Sequence, residues 1–193
     1  MINNIAQLKS EILNRGIAKE DDLLGCCEKD IDSIEKQYGK LPMAYKQIMR
    51  FWGGGVEEGL SVYGDNFKLT RAVSLNEWIR EDMSLIDKNT GDIISGLENV
   101  FFISGRYAEY CGGAEFIKTG ENLADAIVYN IDMALSDNTE EWVDSIEVAF
   151  ESIWTWIEII LNEKEKQLPK SINSIPKLKV GDNRSFWQKL FDK

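Results

Sequence analysis

The sequence predicts an α+β fold: an antiparallel or mixed sheet with helices packed on it, N-terminal helices first and a long closing helix. Three observations point there. Apolar residues recur at helical spacing as far as Trp52 and again after Asp144. Short strand-like segments gather between Val100 and Ile131. The helices come first and the strands after, without the alternation of βαβ units. The 193 residues are 44% hydrophobic, which suffices for one domain with a real core and no disulfide or metal staples.

Residues 3–15 place Ile5, Leu8, Ile12 and Leu13 at helical spacing, and Gly16 stops the helix. After the polar stretch Lys19–Asp22, a second helix carries Ile31, Ile34 and Tyr38 on one face and meets Gly39 as its C-terminal cap. Leu41-Pro42 restarts the chain, because proline is favoured in a first turn where its missing N–H costs nothing. The third helix aligns Tyr45, Ile48, Met49 and Trp52 and ends at Gly53-Gly54-Gly55.

Leu60–Tyr63 then reads as a short strand closed by the turn Gly64-Asp65-Asn66. Ser74-Leu75-Asn76-Glu77 has the form of a capping box, opening a helix through Leu75, Trp78, Ile79, Met83 and Ile86 that ends near Asn89-Thr90-Gly91. Strands follow at Val100–Ser104, Ala114–Lys118 and Ile127–Ile131, with Cys111-Gly112-Gly113 as a tight turn or bulge between two of them. Antiparallel hairpins are the natural connection at such spacing, and helices are expected to cover one face of the sheet. Asp144 and Glu147 suggest a second capping box, opening the closing helix with Ile146, Phe150, Ile153, Trp154, Ile157, Ile160 and Leu161. Trp156 widens that stripe. The chain so divides into an N-terminal helix and connector (1–27), an α+β domain (28–163) and a basic linker with a short amphipathic tail (164–193). The tail ends in Phe186-Trp187-Gln188-Lys189-Leu190-Phe191, too short for an isolated helix, and is expected to dock on its own domain.

The composition excludes much chemistry. With no histidine, Ser-His-Asp and Cys-His nucleophile pairs, imidazole bases and histidine-ligated zinc are impossible within the chain. Three cysteines make no disulfide framework, adjacent Cys26 and Cys27 are strained as a bridge, and Cys111 has no imidazole to activate it. Gly53-Gly54-Gly55 is followed by Val56-Glu57-Glu58 instead of a lysine and hydroxyl, and it follows a helix, so it does not read as a phosphate cradle. The acid pairs Asp21-Asp22, Glu57-Glu58 and Glu140-Glu141 read as solvated loops, unlike the facing carboxyls of a sugar-cleaving site. We therefore expect no enzyme activity, no cofactor and no metal. No apolar run reaches the roughly 18 residues of a membrane span, and Met1–Ile5 lacks the features of a signal peptide, so the expected address is the cytoplasm.

Charge leaves two readings open: a solvated acidic surface with a basic tail folded back onto it, or an acidic face for a basic partner. The chain carries −11, which repels a nucleic-acid backbone, and the distribution is uneven: residues 164–193 hold eight bases and three acids, leaving −16 on residues 1–163.

One stretch goes beyond composition. Ile31-Asp32-Ser33-Ile34-Glu35, Gly39-Lys40-Leu41-Pro42, Tyr45-Lys46 and Met49-Arg50-Phe51-Trp52-Gly53-Gly54 together resemble the signature of the SUKH superfamily, the domain of yeast Smi/Knr cell-wall synthesis regulators and of many bacterial immunity proteins. The resemblance extends through Phe101–Gly105, Gly113–Ile117, Ile127–Tyr129 and the closing helix, covering residues 28–163. Where many members carry an acid after the middle glycine, this chain has Ala114. The resemblance implies the SUKH (Smi/Knr-like) fold and a binding module without catalysis, typically a cytoplasmic antidote to a toxin that is often a nuclease. An acidic protein would be steered to a basic nuclease cleft and could imitate phosphates there. Charge and loop placement nominate Glu57, Glu58, Asp65, Asp137, Glu140 and Glu141 as partner-binding residues. The alternative is a regulatory or scaffolding adaptor with a housekeeping protein partner. The oligomeric state stays open.

Overall fold

The computed structural model describes residues 1–54, 68–81, 84–87, 89–91, 94, 97–108, 111–135 and 140–168. Its elements run α1 (Ile5–Asn14), α2 (Glu28–Tyr38), α3 (Met43–Trp52), α4 (Leu69–Glu81), β1 (Ser84–Asp87), β2 (Val100–Ala108), β3 (Cys111–Lys118), β4 (Val128–Leu135), β5 (Glu140–Phe150) and α5 (Ile153–Gln167). The α+β class and the order of helices, sheet and closing helix are as the sequence predicts. The Leu60–Tyr63 strand with its Gly64–Asn66 turn and the Phe186–Phe191 segment lie outside the described residues.

Strands β2 to β5 form an antiparallel meander, and β1 joins β5 in parallel, so the sheet is mixed with order β1-β5-β4-β3-β2. Val100, Phe101, Phe102 and Ile103 are all buried. Four consecutive buried side chains in a strand require cover on both faces. Phe101, Ile103, Ile117 and Val128 face the main core, with Leu8 and Ile12 of α1, Ile31 and Ile34 of α2, Tyr45 and Ile48 of α3, and Trp156, Ile157 and Leu161 of α5. Phe102, Phe116, Ile131 and Val143 face the other way, onto Ile79 and Leu75 of α4 with Ile94 and Leu97. The expectation of helices on one face is thereby corrected: the alternate apolar row of β2 and β3 needs its own cover, and α4 supplies it.

Four further expectations change. Ser74–Glu77 is no helix start but lies within α4, and Asn76 is fully buried there. Its amide nitrogen donates to the carbonyls of Ala72 and Phe102 (both 2.7 Å), and its oxygen accepts from the Phe102 amide (3.0 Å). Asn76 thus replaces a strand neighbour for β2 where its pairing with β3 shifts register, between Phe102 and Ser104. Asn76→Ala should cost about 1–2 kcal/mol in urea unfolding by leaving the Phe102 amide and carbonyl unmatched; an unchanged midpoint would mean the tether is dispensable.

Secondly, α4 ends at Glu81, and Leu85 and Ile86 belong to β1, paired with Glu141 and Trp142 of β5. Thirdly, Cys111-Gly112-Gly113 opens β3, paired with Ala108, Tyr107 and Arg106 of β2. Fourthly, the closing helix does not start at Asp144: residues 140–150 are strand β5, and Ser152 caps α5, its oxygen accepting from the Trp154 amide (3.1 Å). Asp125 anchors this cap, accepting from the Ser152 hydroxyl (2.6 Å) and the Ile153 amide (3.2 Å).

Candidate protein-binding surface

Residues between 31 and 54 come together as a clamp between helices. The Glu35 carboxylate is 8% exposed and accepts from Lys46 Nζ (2.8 Å), Lys40 Nζ (2.9 Å) and the Leu41 amide (3.0 Å). Burial alone would raise its pKa, but these hydrogen bonds outweigh that and bring it down to about 2. Gly39 ends α2 at φ +92°, a left-handed conformation that favours glycine. The segment after it is pinned by the Gly120 amide donating to the Lys40 carbonyl (3.0 Å) and by the Thr119 hydroxyl donating to that of Tyr38. Pro42 caps α3, whose first amides, from Met43 and Ala44, donate to Leu123 (2.8 Å) and Ala124 (3.0 Å). Helices α2 and α3 are therefore both locked to the β3–β4 loop.

Gly54 serves close approach. A Cβ there would lie 2.4 Å from the Gly25 carbonyl oxygen, and one on Gly25 would lie 1.7 Å from that of Arg50. Residues 24–26 and the end of α3 touch backbone to backbone, with Cys26 N–H donating to Met49 and Gly54 N–H to Leu24, both at 2.9 Å. Glu35, Gly39, Pro42 and Gly54 are all in structural use.

A second polar centre is Glu115 on β3, 5% exposed. Its carboxylate accepts from the Trp156 indole N–H (2.9 Å) and from the Ser104 hydroxyl. Trp156, only 1% exposed, is thus a core residue that ties α5 to the sheet. Among the described residues no group of cysteines and acids could hold a metal ion, and no helix is long and apolar enough to cross a membrane.

Among the described residues, the β4–β5 hairpin offers a further surface. Residues 128–150 contain six acids and no base. The bias runs wider: from Thr119 to Glu163 there are eleven acids and no lysine or arginine. Every ion pair among the described residues joins helices or the segments linking them: Lys9–Glu20, Arg15 with Glu11 and Glu165, Lys40 and Lys46 with Glu35, Arg50–Glu28 and Lys166–Glu163. Asp132 and Glu147 on the hairpin form no ion pair among the described residues. Asp132 accepts instead from Asn130 (3.0 Å) and Ser145 (3.4 Å), and exposed Glu147 lies opposite Asn130.

The acids nominated from sequence divide accordingly. Glu140 and Glu141 are not in a loop: they open β5, their backbones paired with Ser84 and Leu85. Their side chains, and Glu57, Glu58, Asp65 and Asp137 entirely, lie outside the described residues. Sequence reading missed Glu147 because Asp144–Phe150 reads as helix. The base-free run from 119 to 163 would have marked the hairpin without any structure.

The hairpin also exposes apolar surface. β1 covers the outer edge of β5 only as far as Val143, so Ser145–Val148 have no strand neighbour on that side among the described residues. All four are exposed, Ile146 by 44% and Val148 by 46%, and Ile127, just before β4, by 40%. Ile146 lies opposite Ile131, and Val148 opposite Tyr129, which stacks on Phe116 at 5.3 Å. The other edge of the sheet, β2, is guarded by Asn76 and by Arg80, which donates to the Val100 carbonyl (2.8 Å). The β2 edge is closed by side chains, whereas β5 beyond Val143 has no strand neighbour on its outer side among the described residues. No family model, curated protein or solved structure matches this chain.

Proposed function

We propose that this chain is a non-catalytic protein-binding module of the SUKH type, a cytoplasmic immunity protein that sequesters a bacterial toxin domain on an acidic surface. The observation that carries the reading is the stretch of six acids and no base in residues 128–150, the β4–β5 hairpin, whose acids Asp132 and Glu147 form no ion pair among the described residues. Such a surface speeds encounter with a basic cleft and, for a nuclease, stands in for substrate phosphates. The clamp of Glu35, Gly39, Pro42 and Gly54 supports the same reading, because the residues that resemble the family's signature build the scaffold and leave recognition to the strands.

The test is a tagged pull-down from the native host at low and at physiological salt, with the wild-type chain beside Asp137→Asn/Glu140→Gln/Glu141→Gln/Glu147→Gln. A basic toxin domain should be retained, its capture weakening as salt rises and falling about tenfold or more in the variant. Capture of a toxin unaffected by the four substitutions would remove the hairpin from the interface. Retrieval of housekeeping proteins alone would favour the adaptor reading.

A further inference from the structure

We propose that the C-terminal segment of this chain, residues 169–193, docks on the exposed end of the β4–β5 hairpin and covers Ile127, Ile146 and Val148 with Phe186, Trp187, Leu190 and Phe191. The hairpin presents three exposed aliphatic side chains beside a strand edge that has no strand neighbour among the described residues, and the exposed acids Glu147 and Glu151 adjoin them in sequence. An apolar strip with open backbone groups attracts a covering element.

Two occupants can be compared on charge. A second copy of the chain would set six acids and no base against the same six. The C-terminal segment instead brings six bases and two acids, together with four large apolar side chains spaced at 186, 187, 190 and 191, which is one face of a helical turn. Only the second arrangement gains from both charge and burial.

The reach is ample. α5 starts three residues after β5 ends and runs for 15 residues, so Leu168 lies about 22 Å from the hairpin end at 1.5 Å per residue. Seventeen residues separate Leu168 from Phe186, and at about 3.3 Å each an extended chain spans roughly 55 Å. The docked segment would occupy the surface a basic partner uses, acting as a built-in competitor that the partner displaces. That consequence rests on the proposed function, whereas the docking itself does not.

Hydrogen–deuterium exchange on the full chain tests it, comparing wild type with Phe186→Glu/Leu190→Glu. In wild type the amides of residues 145–149 should exchange about tenfold or more slowly than in the variant, with α3 and α5 unchanged as internal controls. The charge variant Lys189→Glu/Lys193→Glu should give the same acceleration, and high salt should mimic it in wild type. Equal exchange in all three proteins would overturn the proposal. Protection that rises with protein concentration would overturn it in favour of a second copy. Failure of the toxin pull-down would leave these exchange rates untouched, so the two proposals fail separately.

Discussion

Gly25→Ala should destabilise the protein by at least about 3 kcal/mol, which for a chain of this size lowers the melting temperature by roughly 6–12 °C. The new Cβ would sit 1.7 Å from the Arg50 carbonyl oxygen. That oxygen belongs to α3 backbone, so no rotamer change relieves the clash and the two segments must separate. Separation strains the hydrogen bonds Cys26 N–H to Met49 and Gly54 N–H to Leu24, and pulls on the paired hydrogen bonds from Arg50 to Glu28 at 2.6 and 2.7 Å. Gly16→Ala is the control, because it meets nothing within 4 Å and carries only the strain of φ +67°, about 1 kcal/mol. Calorimetric melting of both variants decides the matter. Equal losses would mean that the 24–26 segment is free to move off α3.

The position of Gly25 shows where sequence reading stops. Helices α1, α2 and α3 and most of α5 could be read locally, because Ile31, Ile34 and Tyr38, or Tyr45, Ile48, Met49 and Trp52, announce one buried face by spacing alone. Gly39 could be read as a stop, and its φ of +92° is the physical reason. Gly53-Gly54 could be read as a helix end, but the demand on Gly54 comes from the distant backbone of Gly25, and nothing near Gly25 advertises it. The contact also ties the N-terminal connector to the end of α3, and α1 places Leu8 and Ile12 in the same core as α3 and α5.

The sheet was half legible for a related reason. Val100–Ser104, Ala114–Lys118 and Ile127–Ile131 carry enough β-branched and aromatic residues to stand out. Residues 144–150 did not, because register shifts between Val128 and Tyr129 and between Asp132 and Met133 break the alternation in β5. With the period of two lost, Ile146, Phe150 and Ile153 fall at intervals of four and three and imitate a helical stripe. β1 was hidden more deeply: Leu85 and Ile86 continue the helical spacing of α4, and only parallel pairing with Glu141 and Trp142 makes them a strand. The candidate surface inherited the same blind spot, since recognising Glu147, Ile146 and Val148 as exposed required knowing that they sit on an edge strand.

Glu35→Ala should cost about 2–4 kcal/mol at neutral pH, because it strips partners from two groups that the fold has already removed from water. Lys46 is 11% exposed and donates to Glu35, and the Leu41 amide at the entry to α3 does the same. Glu35→Gln keeps an acceptor for both and should lose less, about 1–2 kcal/mol, which makes it the cleaner probe of charge. The carboxylate's pKa is about 2 in the fold against 4.5 for the ordinary group. A depressed folded value means stability that is fully present above about pH 4.5 and is lost progressively as pH falls toward 2. With the Lys40 side of the cluster 65% exposed, solvent screening holds this contribution to about 1–2 kcal/mol. Urea unfolding of wild type and Glu35→Gln at pH 6 and pH 3 isolates it, since other titrating carboxylates cancel in the difference. The gap between the two proteins should narrow as the solution is acidified. A gap constant across that range would show that Glu35 holds α2 and α3 together through hydrogen-bond geometry alone, with its charge contributing nothing to the clamp.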